Sequence, residues 1–198
     1  MGSLTVRKKG ASGLPLHVLR TGNTGIGKFS VPPGSIREKA RGFLREYSRE
    51  TAVCALLVVG VAIVYAQAAF FDFVMIDDVS YIRENYIVKQ GLTLKGIAWA
   101  FTSMYAANWH PLTWLSHMAD MTVFDMRPGM YHLVNVLLHA VNAVLLFVFL
   151  RYATGDIWKN AAVAALFALH PLHVESVAWI SERKDVLSSL FWILTMIS

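Results

Sequence analysis

The sequence is poor in cysteine and in charge, and both shortages limit what the chain can be. Cys54 is the only cysteine, which excludes an internal disulfide. Charged residues make up 16% of the 198 residues, and several long stretches contain none. We find no internal repeat, whereas a transporter would show paired or inverted repeats of broken helices. Apolar residues make up 56% of the chain and lie in long blocks, which is typical of a membrane protein.

Positive charge is concentrated at the start of the chain. Ten of the 18 Lys and Arg residues lie within the first 50 positions, which indicates a juxtamembrane basic tail and not a nucleic-acid-binding patch. We expect residues 1–50 to form a disordered cytoplasmic tail, apart from a short basic helix at residues 35–49. The first apolar run follows this tail without a cleavage signature, so we interpret it as a retained span.

The apolar runs predict an all-α, polytopic membrane helical bundle with about four spans, the last truncated. Residues 51–71 carry no charge, and at ~1.5 Å per residue they are long enough to cross a ~30 Å hydrocarbon layer. The last run stops short of the ~20 residues needed to cross, so we interpret the chain as a fragment of a larger protein. The predicted segments are span 1 at 51–71, an outer loop at 72–128 with interfacial helices at 92–101 and 111–124, span 2 at 130–150, span 3 at 160–180 with a proline break, and the start of span 4 at 186–198.

The positions of Lys and Arg also predict an orientation. The turn that contains Arg151 and Lys159 should be cytoplasmic together with the tail, because cytoplasmic loops carry the excess of positive charge. The outer loop and residues 181–185 then face the periplasm or the lumen. These features describe an integral multi-pass protein of the bacterial inner membrane or the endoplasmic reticulum.

Two adjacent carboxylates, Asp77 and Asp78, follow the first span almost directly. Neighbouring negative charges repel, so the pair favours a retained proton or a shared cation. Either state suits general-base chemistry or a divalent metal, for which both residues are candidate ligands. A solvated acidic turn at the start of a helix explains the pair equally well.

A polar stripe runs along the second span, where His132, Asn135, His139 and Asn142 fall within an arc of about 80°. Hydrogen bonds between helices are the main interpretation for the two asparagines, since polar residues often hold membrane bundles together. His132 lies at the outer end, where it would reach the same compartment as the two carboxylates, and it is a candidate ligand for a donor phosphate.

Two histidines in the outer loop, His110 and His117, lie seven residues apart on one face of a predicted helix. The neighbouring tryptophans Trp99, Trp109 and Trp114 suit the headgroup zone. A pair of histidines is weak evidence for a metal, but His110 is a candidate ligand for a substrate phosphate.

The third span is broken at Pro171 by a polar cluster. Ionisable side chains near hydrocarbon are costly and usually line a cavity or a substrate path. His170 and His173 have a spacing that permits joint ligation, but Glu175 would point about 200° away, so a zinc site is not expected. We interpret these three residues as hydrogen-bonding partners of an anion or a sugar. Arg183 and Lys184, where the chain turns back, suit a phosphate.

Two motifs carry a resemblance to a known family. NWHPLTWLSH at residues 108–117 and HPLHVESVAWISERKDVLS at residues 170–188 resemble the membrane portion of the transmembrane and tetratricopeptide-repeat proteins, which are proposed O-mannosyltransferases. Asp77 and Asp78, followed by Tyr81 and Asn85, match the acidic start of that family's first outer loop. The resemblance covers about residues 70–198.

The resemblance implies a GT-C glycosyltransferase that transfers a sugar, mannose in the first instance, from a polyprenyl-phosphate donor to Ser or Thr hydroxyls of a polypeptide acceptor. Asp77 or Asp78 would accept the hydroxyl proton, while Arg183 and Lys184, together with His170 or His173, would stabilise the phosphate. Beyond the divalent metal considered above, no cofactor is predicted, and we expect the fragment alone to be inactive. The alternative is a non-catalytic membrane anchor for a tetratricopeptide-repeat assembly module.

Overall fold

The computed structural model describes residues 36–198, with side chains from residue 41 onward. This range is helical throughout, apart from short connections and one isolated bridge between Tyr105 and Asn108, and it contains no strand. The all-helical prediction is therefore confirmed for these residues. The helices are α1 (Ile36–Tyr65), α2 (Tyr86–Lys89), α3 (Leu94–Thr102), α4 (Pro111–Phe124), α5 (Pro128–Thr154), α6 (Ile157–Leu169), α7 (Val174–Ala178) and α8 (Arg183–Ile197).

Helix α1 joins the predicted basic helix and the first predicted span into one continuous element. Residues 36–49 are helical, in agreement with the short basic helix predicted at residues 35–49, and the helix continues without a break into the apolar run. The rest of the predicted tail lies outside the described residues. The continuation of α1 through a 3₁₀ turn at Ala66–Phe70 gives an apolar stretch long enough to cross a bilayer, and α5 gives a second.

The third predicted span is a broken one. Helix α6 ends at Leu169, a 3₁₀ turn follows at Pro171–His173, and α7 continues at an angle of 46° to α6. The break falls at Pro171 because proline lacks the N–H that would continue the helix. Counted as one span, this pair brings the number of candidate spans among the described residues to three. Helix α8 has 15 residues and starts three positions before the predicted fourth span.

Two apolar clusters form the core. The first joins α1, α5 and α6, with Val61, Tyr65 and Phe147 almost fully buried. The second lies beside the outer part of the chain, where Trp114 of α4 and Tyr131 of α5 pack with Ile180. Trp114 is completely buried, so it is part of this core rather than an anchor in the headgroup zone.

The junction between α1 and α5 depends on a close approach at Gly129. A Cβ atom at this position would collide with the backbone carbonyl oxygen of Ala69, next to the last residue of the first candidate span. We expect Gly129→Ala to lower the free energy of unfolding by about 1–3 kcal/mol, since backbone atoms must move to relieve such a clash.

Gly42→Ala is the matched control, because nothing lies within 4 Å of a Cβ atom built there. Alanine at an exposed helical position should leave stability unchanged or raise it slightly. Thermal unfolding of the detergent-solubilised protein measures both effects. Equal midpoints for the two variants would contradict this account of the junction.

Candidate functional site

Asp78 is completely buried and holds two parts of the outer region together. Its carboxylate accepts hydrogen bonds from the backbone N–H of Val74 at 2.8 Å, from the N–H of Ser181 at 3.0 Å and from the Ser181 hydroxyl. The carboxylate thus links the chain after the first span to the turn before α8. Asp78 already binds three donors and has no exposed surface. This position disagrees with the expectation that Asp78 acts on a substrate.

Asp77 lies in a different environment, although it is the neighbouring residue. It is half-buried, and among the described residues no donor is bonded to its carboxylate, although its backbone oxygen accepts from Ser80. Its charge acts on the phenol of Tyr81, as do the charges of Glu182 and Lys184. The geometry therefore separates the two carboxylates that the sequence left equivalent.

The side chains around Asp77 and Asp78 do not form a set of ligands suited to a divalent metal. Within residues 36–198, no group of three or more His, Cys, Asp or Glu side chains is arranged to hold a metal ion. Divalent cations in proteins are bound by several oxygen ligands. Here one of the two carboxylates is already occupied by protein N–H and O–H donors.

Arg183 is completely buried and all of its polar groups have protein partners. One terminal nitrogen lies 2.6 Å from a carboxylate oxygen of Asp120 and 2.7 Å from the hydroxyl of Ser116. The other donates to the backbone oxygen of Tyr131 at 2.9 Å, and Nε donates to Asn135. The expectation that Arg183 binds a donor phosphate therefore disagrees with its position, because the side chain is completely buried and each guanidinium nitrogen already has a protein partner.

Asp120 is the functional partner that sequence reasoning missed. A buried guanidinium requires a counter-charge, since an unpaired buried ion costs several kcal/mol. Asp120 is the only acid in α4, one helical turn from Ser116 and therefore on the same face. The four-residue spacing between Ser116 and Asp120 could have indicated that Asp120 faces the interior of the bundle.

His117, which was predicted to share a face with His110, is buried beside this ion pair. Its ring stacks on Tyr131 with centroids 6.4 Å apart. Burial, and then the positive charge of Arg183 and the nearby His110, hold the pKa of His117 well below its usual value. The imidazole is therefore neutral at physiological pH and adds no charge to the ion pair.

Lys184 projects away from the core that holds its neighbour Arg183. It is half-buried, and its ammonium group lies 2.6 Å from a carboxylate oxygen of Glu182. Lys184 also borders a groove of about 400 Å³ between α3, α4 and α8. The other residues that line this groove are Phe101, Trp109, His110, Pro111, Leu112, Thr113, Leu187, Ser188 and Phe191.

His110 occupies the same groove, so two of the predicted phosphate ligands lie together. Its ring packs against Trp114 and Tyr81, with centroids 4.7 Å and 5.6 Å apart. Burial, and then the charge of Lys184, lower the pKa of His110. Its buried Nε2 has no hydrogen-bonding partner among the described residues.

The polar stripe of α5 is used for contacts between helices. Asn135 donates to the backbone oxygen of Trp179 at 2.9 Å and Asn142 to that of Val186 at 2.8 Å. These contacts agree with the interpretation of both asparagines as interhelical hydrogen-bonding residues. His139 lies 3.0 Å from the oxygen of Ala168 in the same manner.

His132 follows the same pattern at the outer end of the stripe. It is completely buried, and its Nε2 lies 3.4 Å from the backbone oxygen of Asp72. Its ring meets Phe71 edge to face, with centroids 5.9 Å apart. This position gives His132 a packing role and disagrees with the expectation that it contacts a donor phosphate.

The remaining predicted ligands lie elsewhere. The ring of His173 contacts the rings of Phe167 and His139, at centroid distances of 4.7 Å and 5.5 Å, beside a separate cavity of about 290 Å³ that Asp185 also lines. His170 is exposed and accepts from the N–H of Leu172, which caps the 3₁₀ turn. Glu175 is exposed. None of these three lines the groove beside Lys184.

Comparison with known proteins identifies the family. Protein O-mannosyl-transferase TMTC3 of Mus musculus is 33% identical over 153 residues, which cover 72% of this chain and 16% of the mouse protein. Protein O-mannosyl-transferase TMTC2 of Homo sapiens is 39% identical over 90 residues, 46% of this chain and 11% of the human protein. The chain belongs to the TMTC family. It spans only about a sixth or less of the length of these relatives.

The mouse protein O-mannosyl-transferase TMTC1 gives the same result, with 33% identity over 160 residues, 73% of this chain and 16% of the relative. No family model matches the chain. No solved structure matches it either. The TMTC assignment therefore rests on the relatives' sequences.

The buried ion pair gives a test of what holds the outer region together. Arg183→Met leaves the carboxylate of Asp120 buried without a cation, and we expect a loss of about 3–5 kcal/mol in the free energy of unfolding. The double variant Arg183→Met, Asp120→Leu should recover most of this loss, because both charges are removed together.

Lys184→Met is the matched control, since the partly exposed ion pair of Lys184 should contribute at most about 1 kcal/mol. Thermal unfolding in detergent measures all three variants. Arg183→Met and Lys184→Met with the same unfolding midpoint would show that the ion pair is not a structural requirement.

Proposed function

We propose that the chain belongs to the catalytic membrane region of a protein O-mannosyltransferase with a GT-C architecture. The enzyme transfers mannose from a polyprenyl-phosphate donor to a Ser or Thr hydroxyl of a polypeptide acceptor. The observation that carries the proposal is Lys184 at the edge of an apolar groove in a TMTC homologue. Asp77 is linked to this groove through Tyr81, whose pKa is raised by burial and also by the charge of Asp77, and whose ring packs against His110. The Lys and Arg distribution puts the N-terminus in the cytoplasm and the site on the opposite side of the bacterial inner membrane or the endoplasmic reticulum.

The groove suits a donor that is half hydrocarbon and half anion. Its walls include Phe101, Leu187 and Phe191, against which an isoprenoid chain can pack. Lys184 offers a mobile point charge to the phosphate. His110 is neutral at physiological pH because its pKa is lowered, and its unpartnered Nε2 is in reach of the same ligand. In this scheme phosphate oxygens compete with Glu182 for the ammonium group.

Asp77 provides the base for the transfer step. Its carboxylate accepts the proton of the acceptor hydroxyl as the hydroxyl oxygen attacks C1 of the sugar. The bond between C1 and the phosphate oxygen breaks, and its electron pair remains on the phosphate. Lys184 stabilises the negative charge that develops there. The products are an O-linked sugar, a polyprenyl phosphate and a protonated Asp77.

A second function, a membrane anchor without catalysis, is favoured by a different observation. Asp78, Arg183, His132 and Asn135 are all buried and each is in polar contact with backbone atoms of other segments. In that case the polar residues serve only to hold the bundle together. Asp77 and Lys184 distinguish the two functions, because neither has a packing role that an anchor would need.

Replacement of Asp77 tests the proposed base. In membranes that carry the full protein, we expect Asp77→Asn to slow mannose transfer from a polyprenyl-phosphate donor by about 10²–10⁴-fold, since the amide cannot accept the proton. Glu84→Gln is the matched control, because this exposed acid lies in the same segment. Transfer rates for Asp77→Asn that equal those of Glu84→Gln would exclude Asp77 as the base and favour the anchor.

Replacement of Lys184 tests the donor site. We expect Lys184→Gln to raise the KM for the lipid donor and to lower kcat, because the ammonium group contacts the phosphate before and during bond cleavage. Lys184→Arg should retain part of the activity. An unchanged KM and kcat for Lys184→Gln would exclude this groove as the donor site.

A further inference from the structure

Three arginines form a stripe on the first part of α1. Arg41, Arg45 and Arg49 lie four residues apart and are all exposed. At about 100° per residue they fall within an arc of about 80°, so they share one face of the helix. Successive members are separated by about 6 Å along the axis, since each residue rises ~1.5 Å. We call these three residues the arginine stripe.

The acidic residues of this helical segment are turned away from the arginine stripe and are neutralised elsewhere. Glu46 and Glu50 both bind Arg151 of α5; Nε of Arg151 lies 2.8 Å from Glu50. Their face is about 120° from the stripe. Glu46 is therefore held by α5 instead of pairing with Arg49 one turn away, and the stripe keeps its full positive charge.

The ion pairs of the described side chains leave the arginine stripe without a counter-charge. Among residues 41–198, none of the three arginines takes part in an ion pair. The first 40 residues contain one acid, Glu38, against seven Lys and Arg. The sequence before the stripe is thus strongly basic as well, which favours anions from outside the chain as partners of the stripe.

The position of the arginine stripe identifies the source of those anions. The uncharged part of α1 starts at Thr51, so the stripe lies about 3–15 Å beyond it along the helix, in and just outside a headgroup layer. Phe43, Leu44 and Tyr47 are exposed in the same turns, as is usual for a segment at a membrane boundary. A nucleic acid or an acidic peptide would not account for these apolar side chains.

We propose that the arginine stripe binds the headgroups of anionic phospholipids. The guanidinium fork matches the phosphate oxygens, and the net negative charge of the lipid provides the selectivity over zwitterionic headgroups. A basic residue next to an anionic membrane surface contributes about fivefold in affinity at moderate salt. This site is independent of the transferase groove, which lies among α3, α4 and α8.

Lipid selectivity measured by electron paramagnetic resonance tests the proposal. The full protein is reconstituted in phosphatidylcholine bilayers with spin-labelled phosphatidylglycerol or spin-labelled phosphatidylcholine, and the fraction of each label held at the protein is compared. For the unmodified protein we expect a preference of at least tenfold for a bound phosphatidylglycerol at 50 mM salt. The preference should fall at 500 mM salt, because headgroup charges are then screened.

The variant Arg41→Gln, Arg45→Gln, Arg49→Gln should lose this preference. The matched control is Lys89→Gln, Lys95→Gln, Arg127→Gln, which removes the same charge from three exposed residues that do not share a helix face. The control should retain the preference. Equal thermal midpoints for both triple variants verify that the fold is intact.

Two results would overturn the proposal. One is a stripe variant that keeps the preference for phosphatidylglycerol, and the other is a control that loses as much as the stripe variant, which would make the effect one of net charge. Lipid binding by the stripe and the proposed transferase activity are tested separately by measuring mannose transfer in pure phosphatidylcholine bilayers. The stripe variant should retain mannose transfer there, because no anionic lipid is present.

Discussion

The ion pair between Arg183 and Asp120 is the constraint on which the outer half of the molecule depends. It joins the start of α8 to α4, and the same guanidinium binds α5 through Tyr131 and Asn135. A charge in this position is tolerated because the guanidinium is paired with a carboxylate and each of its three nitrogens has an acceptor. Its consequence for function is indirect: with Arg183 fixed in the core, the next residue, Lys184, is directed to the other side and borders the groove.

The polar residues of this chain fall into two groups that composition cannot distinguish. Those of one group, among them Asp78, His132 and Asn142, are buried and in polar contact with backbone atoms of other segments, which offsets part of the cost of placing them in an apolar bundle. Those of the other group, Asp77 and Lys184 in particular, retain exposed surface, and Lys184 borders a groove. Only the second group can meet a substrate, and the proposed transferase chemistry uses it alone.

Much of the fold follows from local sequence. The sequence does not reveal which polar residues pack inside the bundle and which remain exposed to a substrate. The apolar runs identified the helices, and Pro171 the break, because both depend on a residue's own chemistry. The roles of Asp77 and Asp78 depend on contacts more than 100 positions away, such as the bond from Ser181 to Asp78. The same holds for Arg183, whose partner Asp120 lies on another helix. Periodicity indicates which face of a helix is polar, but not which neighbour that face meets.

Nuclear magnetic resonance of the Arg183 side chain tests the central claim most directly. In the arginine-labelled protein, a buried and fully bonded guanidinium should give separate signals for its terminal nitrogens and slow hydrogen exchange, because rotation and solvent access are both restricted. These features should disappear in Asp120→Asn. Averaged signals and rapid exchange in the unmodified protein, like those of the exposed Arg45, would contradict the buried ion pair and the placement of Lys184 that follows from it.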